Sequence, residues 1–191
     1  MYSVLSVVLV ALALLQNPSS QTSPNAPSGN NRAQTGNQAN LDRITREVHH
    51  QLALLPYYGV FDNLAYRVSP DGSVTLMGQV TRPTLKSDAE NVVKRIEGVE
   101  RVDNQIKVLP PSPMDDQIRM AVYRAIYGNP ELSMYAVRAI PPIHIIVENG
   151  HVTLEGVVAR QMDRQVAEMQ AKSVPGVFSV TNNLRVEEQG S

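Results

Sequence analysis

The chain has 191 residues, is 42% hydrophobic and 18% charged, and contains no Cys and no Trp. The missing cysteines exclude a disulfide framework, a thiol nucleophile, a Cys-ligated zinc site, an iron–sulfur cluster and a lipid anchor on an N-terminal Cys. Net charge is −1, split evenly between the two halves. Neither half has the basic excess of a nucleic-acid binder, so nucleic acid is not expected as a partner.

Val4 to Leu15 is an almost unbroken apolar run, VLSVVLVALALL. It is shorter than the ~20 residues that cross a bilayer and suits the core of a secretory signal peptide. Ala11-Leu12-Ala13 offers a small-x-small cleavage point, although no Lys or Arg precedes the run. Residues 1–20 are therefore expected to be signal-peptide-like, with a buried strand or helix as the alternative. Residues 21–39 are built of small and polar side chains with little to bury. They are expected to form a disordered linker. Together these features predict an exported, periplasmic or envelope-associated protein.

The rest of the chain is written twice. Gly72-Ser-Val-Thr-Leu-Met-Gly-Gln-Val80 returns as Gly150-His-Val-Thr-Leu-Glu-Gly-Val-Val158. The offset of 78 holds without a gap from 72–108 to 150–186, and 15 of the 37 positions are identical. Upstream, 42–52 aligns with 116–126 at offset 74, which leaves about four extra residues in the second copy. Such a period marks a duplicated unit. The expected boundaries are 40–109 and 114–187, with a Pro-rich linker at 110–113 and a tail at 188–191.

Each copy predicts helix, strand, strand, helix, strand. In the first helix Ile44, Val48, Leu52 and Leu55 make one apolar stripe, and Ile118, Val122 and Ile126 repeat it. Asp42 and Asp115 or Asp116 are candidate N-caps. The first strands are expected at about 64–68 and 143–147, and Asp71-Gly72 and Asn149-Gly150 form the hairpin turns. The second strand places Val74, Leu76, Gly78 and Val80 on one face, as it does Val152, Leu154, Gly156 and Val158. Gly78 and Gly156 predict a close approach by a helix or another backbone. Leu85, Ala89, Val92, Val93 and Ile96 form the apolar side of the second helix, matched by Val166, Ala167, Met169, Ala171 and Val174. Gly98 and Gly176 stop these helices. The last strands carry Asn104 and Asn182 among apolar residues, where each amide needs a hydrogen-bond partner. The predicted fold class is α+β: two copies of an αββαβ domain, each a three-stranded sheet with two helices packed on one face.

These residues resemble the BON domain (bacterial OsmY and nodulation). The pattern runs from Asp71-Gly72 through Val74, Leu76 and Gly78, then from Gly98-Val99 through Val102, Asn104, Ile106 and Val108. It returns from Asn149-Gly150 through Val152, Leu154 and Gly156, then from Gly176-Val177 through Val180, Asn182, Leu184 and Val186. The resemblance implies an αββαβ fold in periplasmic or outer-membrane proteins, a role in binding phospholipid surfaces, and a link to stress response. Several double-BON envelope proteins are lipoproteins; the lack of Cys excludes that anchoring here.

Catalytic and metal chemistry find little support in the residues. His49 and His50 point about 100° apart on a helix. His144 and His151 flank the second hairpin and could face each other across strands, but no carboxylate pair completes a site. Asp115-Asp116 and Glu187-Glu188 fit capping and a solvated tail better than acid–base work. No nucleophile elbow or phosphate loop is present. The expectation is a non-enzymatic protein with no cofactor and no metal.

The segment 123–138 carries Tyr123, Arg124, Tyr127, Met134, Tyr135 and Arg138, with Glu131 its only acid. Tyrosine rings suit a headgroup layer and Arg pairs with phosphate, so these six are the candidate lipid-binding residues. The competing reading places them in the core, because a ~70-residue domain needs most of its apolar residues inside. Copy one offers Leu54, Leu55, Pro56, Tyr57, Tyr58 and Phe61 at the matching place. The expected partner is an anionic phospholipid surface, or alternatively an envelope protein or peptidoglycan.

Overall fold

A computed structural model describes the backbone of residues 29–187, with side chains from 38 onward. The signal-peptide-like segment, the first part of the expected linker and the tail at 188–191 lie outside the described residues.

The first copy runs α1 (Gly29–Ala53), β1 (Asn63–Val68), β2 (Ser73–Val80), α2 (Pro83–Val93), β3 (Arg101–Asn104) and β4 (Lys107–Val108). The second runs α3 (Pro113–Tyr127), a 3-10 helix at Ser133–Val137, β5 (Ile143–Glu148), β6 (His151–Val158), α4 (Gln161–Lys172), β7 (Ser179–Asn182) and β8 (Arg185–Val186). In each copy the second strand is central. It pairs antiparallel with the first and parallel with the third. The third strand comes in two pieces, β3 with β4 and β7 with β8, both following the same central strand.

The break in the third strand is held by the predicted asparagine. The Asn104 side chain donates to the Lys86 carbonyl (2.9 Å) and to Glu90 (3.0 Å), and its Oδ1 accepts from the Ile106 amide (3.2 Å). Asn182 does the same with the Arg164 carbonyl, Glu168 and the Leu184 amide. One side chain thus satisfies the unpaired backbone of the break and ties it to the second helix.

Each copy has its own core. Ile44, Val48 and Leu52 of α1 and Leu85, Ala89 and Val93 of α2 bury against Val74, Leu76 and Val80 of β2. Ile118, Val122, Ile126, Val166, Ala167 and Ala171 close on Val152, Leu154 and Val158 in the second copy. Both helices lie on one face of each sheet, because the buried residues of β2 and β6 alternate along the strand. Gly78 has φ +110 and an added Cβ would fall 2.1 Å from the Asn63 carbonyl oxygen; at Gly156 (φ +126) the distance to the Pro142 oxygen is 1.9 Å. The close neighbour is therefore the backbone entering the first strand.

Three local expectations are corrected. Residues 29–39, expected as part of a disordered linker, lie within α1, which passes through Asp42 without stopping there. No proline interrupts 29–53, and Ala, Gln and Arg in that stretch favour helix. Neither Asp115 nor Asp116 caps α3. Ser112 is the N-cap and accepts from the Asp115 amide, while Pro113 fills the first turn. His144 and His151 are not opposite each other; His144 pairs with Glu155 and His151 with Glu148.

Candidate functional site

The two cores meet at a junction. After α1, the chain of copy one passes the outer edge of β5, where the Val60 carbonyl accepts from the Ile145 amide at 2.8 Å. Phe61 packs edge-on against Tyr123 of α3, with ring centroids 6.1 Å apart. Tyr58 stacks on His144 at 5.6 Å. Lys107 bonds both oxygens of Glu148 at 2.7 Å. Leu109 and Ile146 are buried yet belong to neither core. Copy one's loop is therefore an interdomain contact. Its aromatics read as a counterpart of the candidate patch in sequence, but Tyr58 and Phe61 face the second domain.

The six candidate residues divide. Tyr127 and Tyr135 are buried. The Tyr127 hydroxyl donates to the Ile143 carbonyl (2.6 Å) and accepts from the Ile143 amide (3.1 Å), pinning α3 to the start of β5. Burial pushes this phenol well above its ordinary value, partly offset by that backbone contact. The Tyr135 hydroxyl donates to Asp163 (2.6 Å) and accepts from the Ala159 amide (2.8 Å). Both tyrosines have all their polar capacity used inside the domain. Tyr123 is half-buried, whereas Arg124, Met134 and Arg138 are exposed. Two neighbouring apolar residues that the sequence did not single out join Met134, which is 57% exposed: Val137 is 86% exposed and Met120 42%.

Beside these residues the junction leaves an open groove of about 310 Å³. Val60 and Phe61 of copy one form one side; Met120, Tyr123, Ala136 and Arg138 contribute from copy two. Met134 and Val137 lie on the same 3-10 helix as Ala136. The result is an apolar groove with one guanidinium at its lining, continued by exposed apolar side chains and a second arginine on α3.

The buried charges elsewhere in copy two are structural. Asp163 has no exposed surface, and its carboxylate accepts from Arg160 (2.7 Å) and Tyr135. Burial alone would raise its pKa, but these donors outweigh burial and hold it below 3.8. Asp115 accepts from the amides of Asn149 and Gly150, both at 2.9 Å, and so grips the β5–β6 turn. It too is held low, with burial opposed by those amides and by Ser112. Arg119 is buried between Asp116 and the Val147 carbonyl, with its Nε unpartnered. None of these groups opens into the groove lining. Among the described residues no group of three His, Cys, Asp or Glu side chains could hold a metal ion. No helix among them is long and apolar enough to cross a membrane.

The six glycines singled out in sequence, Gly72, Gly78, Gly98, Gly150, Gly156 and Gly176, all have positive φ. Their positions repeat between the copies, as do the two asparagine clamps. The BON domain family matches residues 40–110 and 115–188. The chain belongs to the BON domain family. It carries two BON domains, a module known for association with membranes and phospholipid. No curated protein matches the sequence. Among solved structures, the chain is similar to the C-terminal domain of CdsD, the structural protein of the type III secretion system of Chlamydia trachomatis. That match has 13% identity and a TM-score of 0.27, covering 75% of this chain and 96% of the other. A second structure of CdsD, described as a structural protein of the same system in Chlamydia trachomatis, gives 13% identity and a TM-score of 0.28, covering 77% and 94%.

Proposed function

We propose that this protein is an exported, non-enzymatic component of the cell envelope that contacts anionic phospholipid surfaces through its second BON domain. The observation that carries the reading is the exposed cluster of Met134, Val137 and Arg138 beside the groove, with Met120 and Arg124 on α3. Large apolar side chains exposed next to arginines suit the boundary between headgroups and acyl chains. Glu131 is the only acid between 123 and 138, so little opposes an anionic surface there. Tyr127 and Tyr135 support the patch from inside, by fixing the segment that presents it.

Co-sedimentation of the full chain with vesicles tests this. Binding is expected to mixed phosphatidylglycerol–phosphatidylcholine vesicles, with little to phosphatidylcholine alone, and to weaken as salt rises. Each cationic side chain at an anionic surface is worth about 1 kcal/mol. Arg138→Glu with Val137→Ser should therefore weaken binding by at least about tenfold. Equal binding by that variant overturns the patch.

A second reading is a scaffold that recruits an envelope protein by strand addition. Its support is the contrast between the two first strands. The outer edge of β5 is met by Val60, whereas β1 pairs only with β2 among the described residues. A free edge of this kind can accept a partner strand. Strand addition should survive high salt and be indifferent to lipid charge.

A further inference from the structure

His144 sits where the domains are joined. It lies on β5, directly beside Ile145, whose amide takes the Val60 carbonyl, and its ring stacks on Tyr58 of copy one. The ring is largely buried, and its Nδ1 has no hydrogen-bond partner. A neutral imidazole tolerates this setting, because stacking needs no charge. An imidazolium would carry a desolvated charge, which the nearby Asp62 and Gly59 backbone offsets only in part.

The charged groups around it are already engaged. Asp62, the nearest carboxylate from copy one, accepts from the Gly59 amide and from the amide and hydroxyl of Thr81. Glu155 faces His144 across β6 and accepts from Asn183 at 2.7 Å. Glu148, four residues further along β5, is bonded to Lys107. Burial lowers the pKa of His144 below 6.5, and this outweighs the opposing pull of the Asp62 and Gly59 backbone and the Asp62 charge.

We propose that His144 is a pH-sensitive clasp: protonation of its ring expels Tyr58 and the 58–62 loop from the β5 edge, so that the two BON domains separate in mild acid. The contact to be released is small. It includes one backbone hydrogen bond, two aromatic contacts, one exposed ion pair, the packing of Val60 and Phe61 on the second core, and the burial of Leu109 and Ile146. Each domain keeps its own core, so separation needs no unfolding.

The sign follows from linkage. A histidine whose pKa is lowered by the closed state favours closure above its ordinary value of 6.5, and that preference is lost as pH falls. Below 6.5, until the lowered value is reached, the closed-to-open ratio falls by about tenfold per pH unit. The experiment is backbone 15N relaxation of the full chain between pH 7.5 and 5, with the His144 ring resonances followed in the same samples. Wild type should tumble as one body at pH 7.5 and as two bodies at the acid end. The change should track the His144 titration. His144→Phe retains a ring for Tyr58 and cannot be protonated, so it should stay closed throughout. The clasp is refuted if wild type remains one body at pH 5. It is equally refuted if the domains part at a pH where the His144 resonances do not move, or if His144→Phe parts at the same pH as wild type.

Discussion

Gly156→Ala is the substitution for which the fold makes the sharpest demand. Residue 156 has φ +126, a conformation that L side chains rarely adopt, and such strain costs about 1–3 kcal/mol. The new Cβ would also stand 1.9 Å from the Pro142 carbonyl oxygen and 3.1 Å from its carbon. Both atoms are backbone, so no rotamer change relieves the overlap. The chain entering β5 must move by more than about 1 Å to restore van der Waals contact. That motion pulls on the Ile143–Gly156 pair and on the two bonds that Tyr127 makes to Ile143. Losing two hydrogen bonds at about 1 kcal/mol each, together with the strain, gives about 3–5 kcal/mol. That is a large share of the stability of a domain this size. Hydrogen exchange read by mass spectrometry, with peptides assigned to each copy, is the assay. Gly156→Ala should raise exchange across β5, β6 and α4 while copy one keeps its protection. Gly78→Ala should give the mirror result. Gly59→Ala is the control, because nothing lies within 4 Å of its added Cβ and its φ is ordinary. If Gly156→Ala leaves copy two within about 1 kcal/mol of wild type, the backbone contact is not what places a glycine there.

Further outcomes follow from the polar contacts. Tyr135→Phe removes a donor to the buried Asp163 and an acceptor for Ala159, and should lower the urea midpoint of copy two by the equivalent of about 1–3 kcal/mol. Asn182→Ala leaves the Leu184 amide without its acceptor and should raise exchange at 183–186 specifically, as Asn104→Ala should at 105–108. Asp163 and Asp115 have pKa values below 3.8 in the folded domain, so the stability they contribute is present above that value and is lost as pH falls through the lowered ones. Leu85 stands 78 residues before Asp163, and Leu41 stands 74 before Asp115. Copy one has carboxylates held low at Asp71 and Glu90, but neither is buried. Acid unfolding below pH 4, followed by exchange, should therefore reach copy two through the protonation of two buried aspartates that have no counterpart in copy one.

Much of the architecture was legible because the chain states it twice. Apolar stripes at helical and strand spacing give the two cores, and the repeat of Gly78 as Gly156 and of Asn104 as Asn182 gives their registers. A period of 78 also separates local accident from requirement, since unneeded residues drift between copies. The junction was not legible. Val60, Tyr58 and His144 lie in the stretch where the copies differ in length, and no periodicity connects an α1–β1 loop to the edge of another domain's strand. The candidate site was half legible for a related reason. Tyr123, Tyr127 and Tyr135 look alike as letters, but α3 turns Tyr127 inward toward Ile143 while Tyr123 faces Phe61. The extension of α1 to Gly29 was missed because a polar stretch with little to bury reads as linker, even when its residues tolerate helix.

Copy one leaves Leu54 and Tyr57 of its loop exposed, but the cluster beside the groove belongs to the second copy, and the asymmetry between the copies explains why. Both have a loop between the first helix and the first strand, and a short domain must cover the end of its core with it. Copy one covers the end with Leu55 and turns Tyr58, Val60 and Phe61 onto copy two. Copy two uses its extra residues to form the 3-10 helix, which buries Leu132 and Tyr135 and thereby closes its own core. Met134 and Val137 of the same 3-10 helix are then directed outward and have no third domain among the described residues to cover them. Apolar side chains exposed as a contiguous patch mark an interaction site. Substituting Met134 and Val137 by Ser should thus leave the urea midpoint of copy two unchanged, or raise it, while vesicle binding falls. If the same pair lowers stability by more than about 1 kcal/mol, the side chains serve the fold, and the outward face of this loop is not a binding surface.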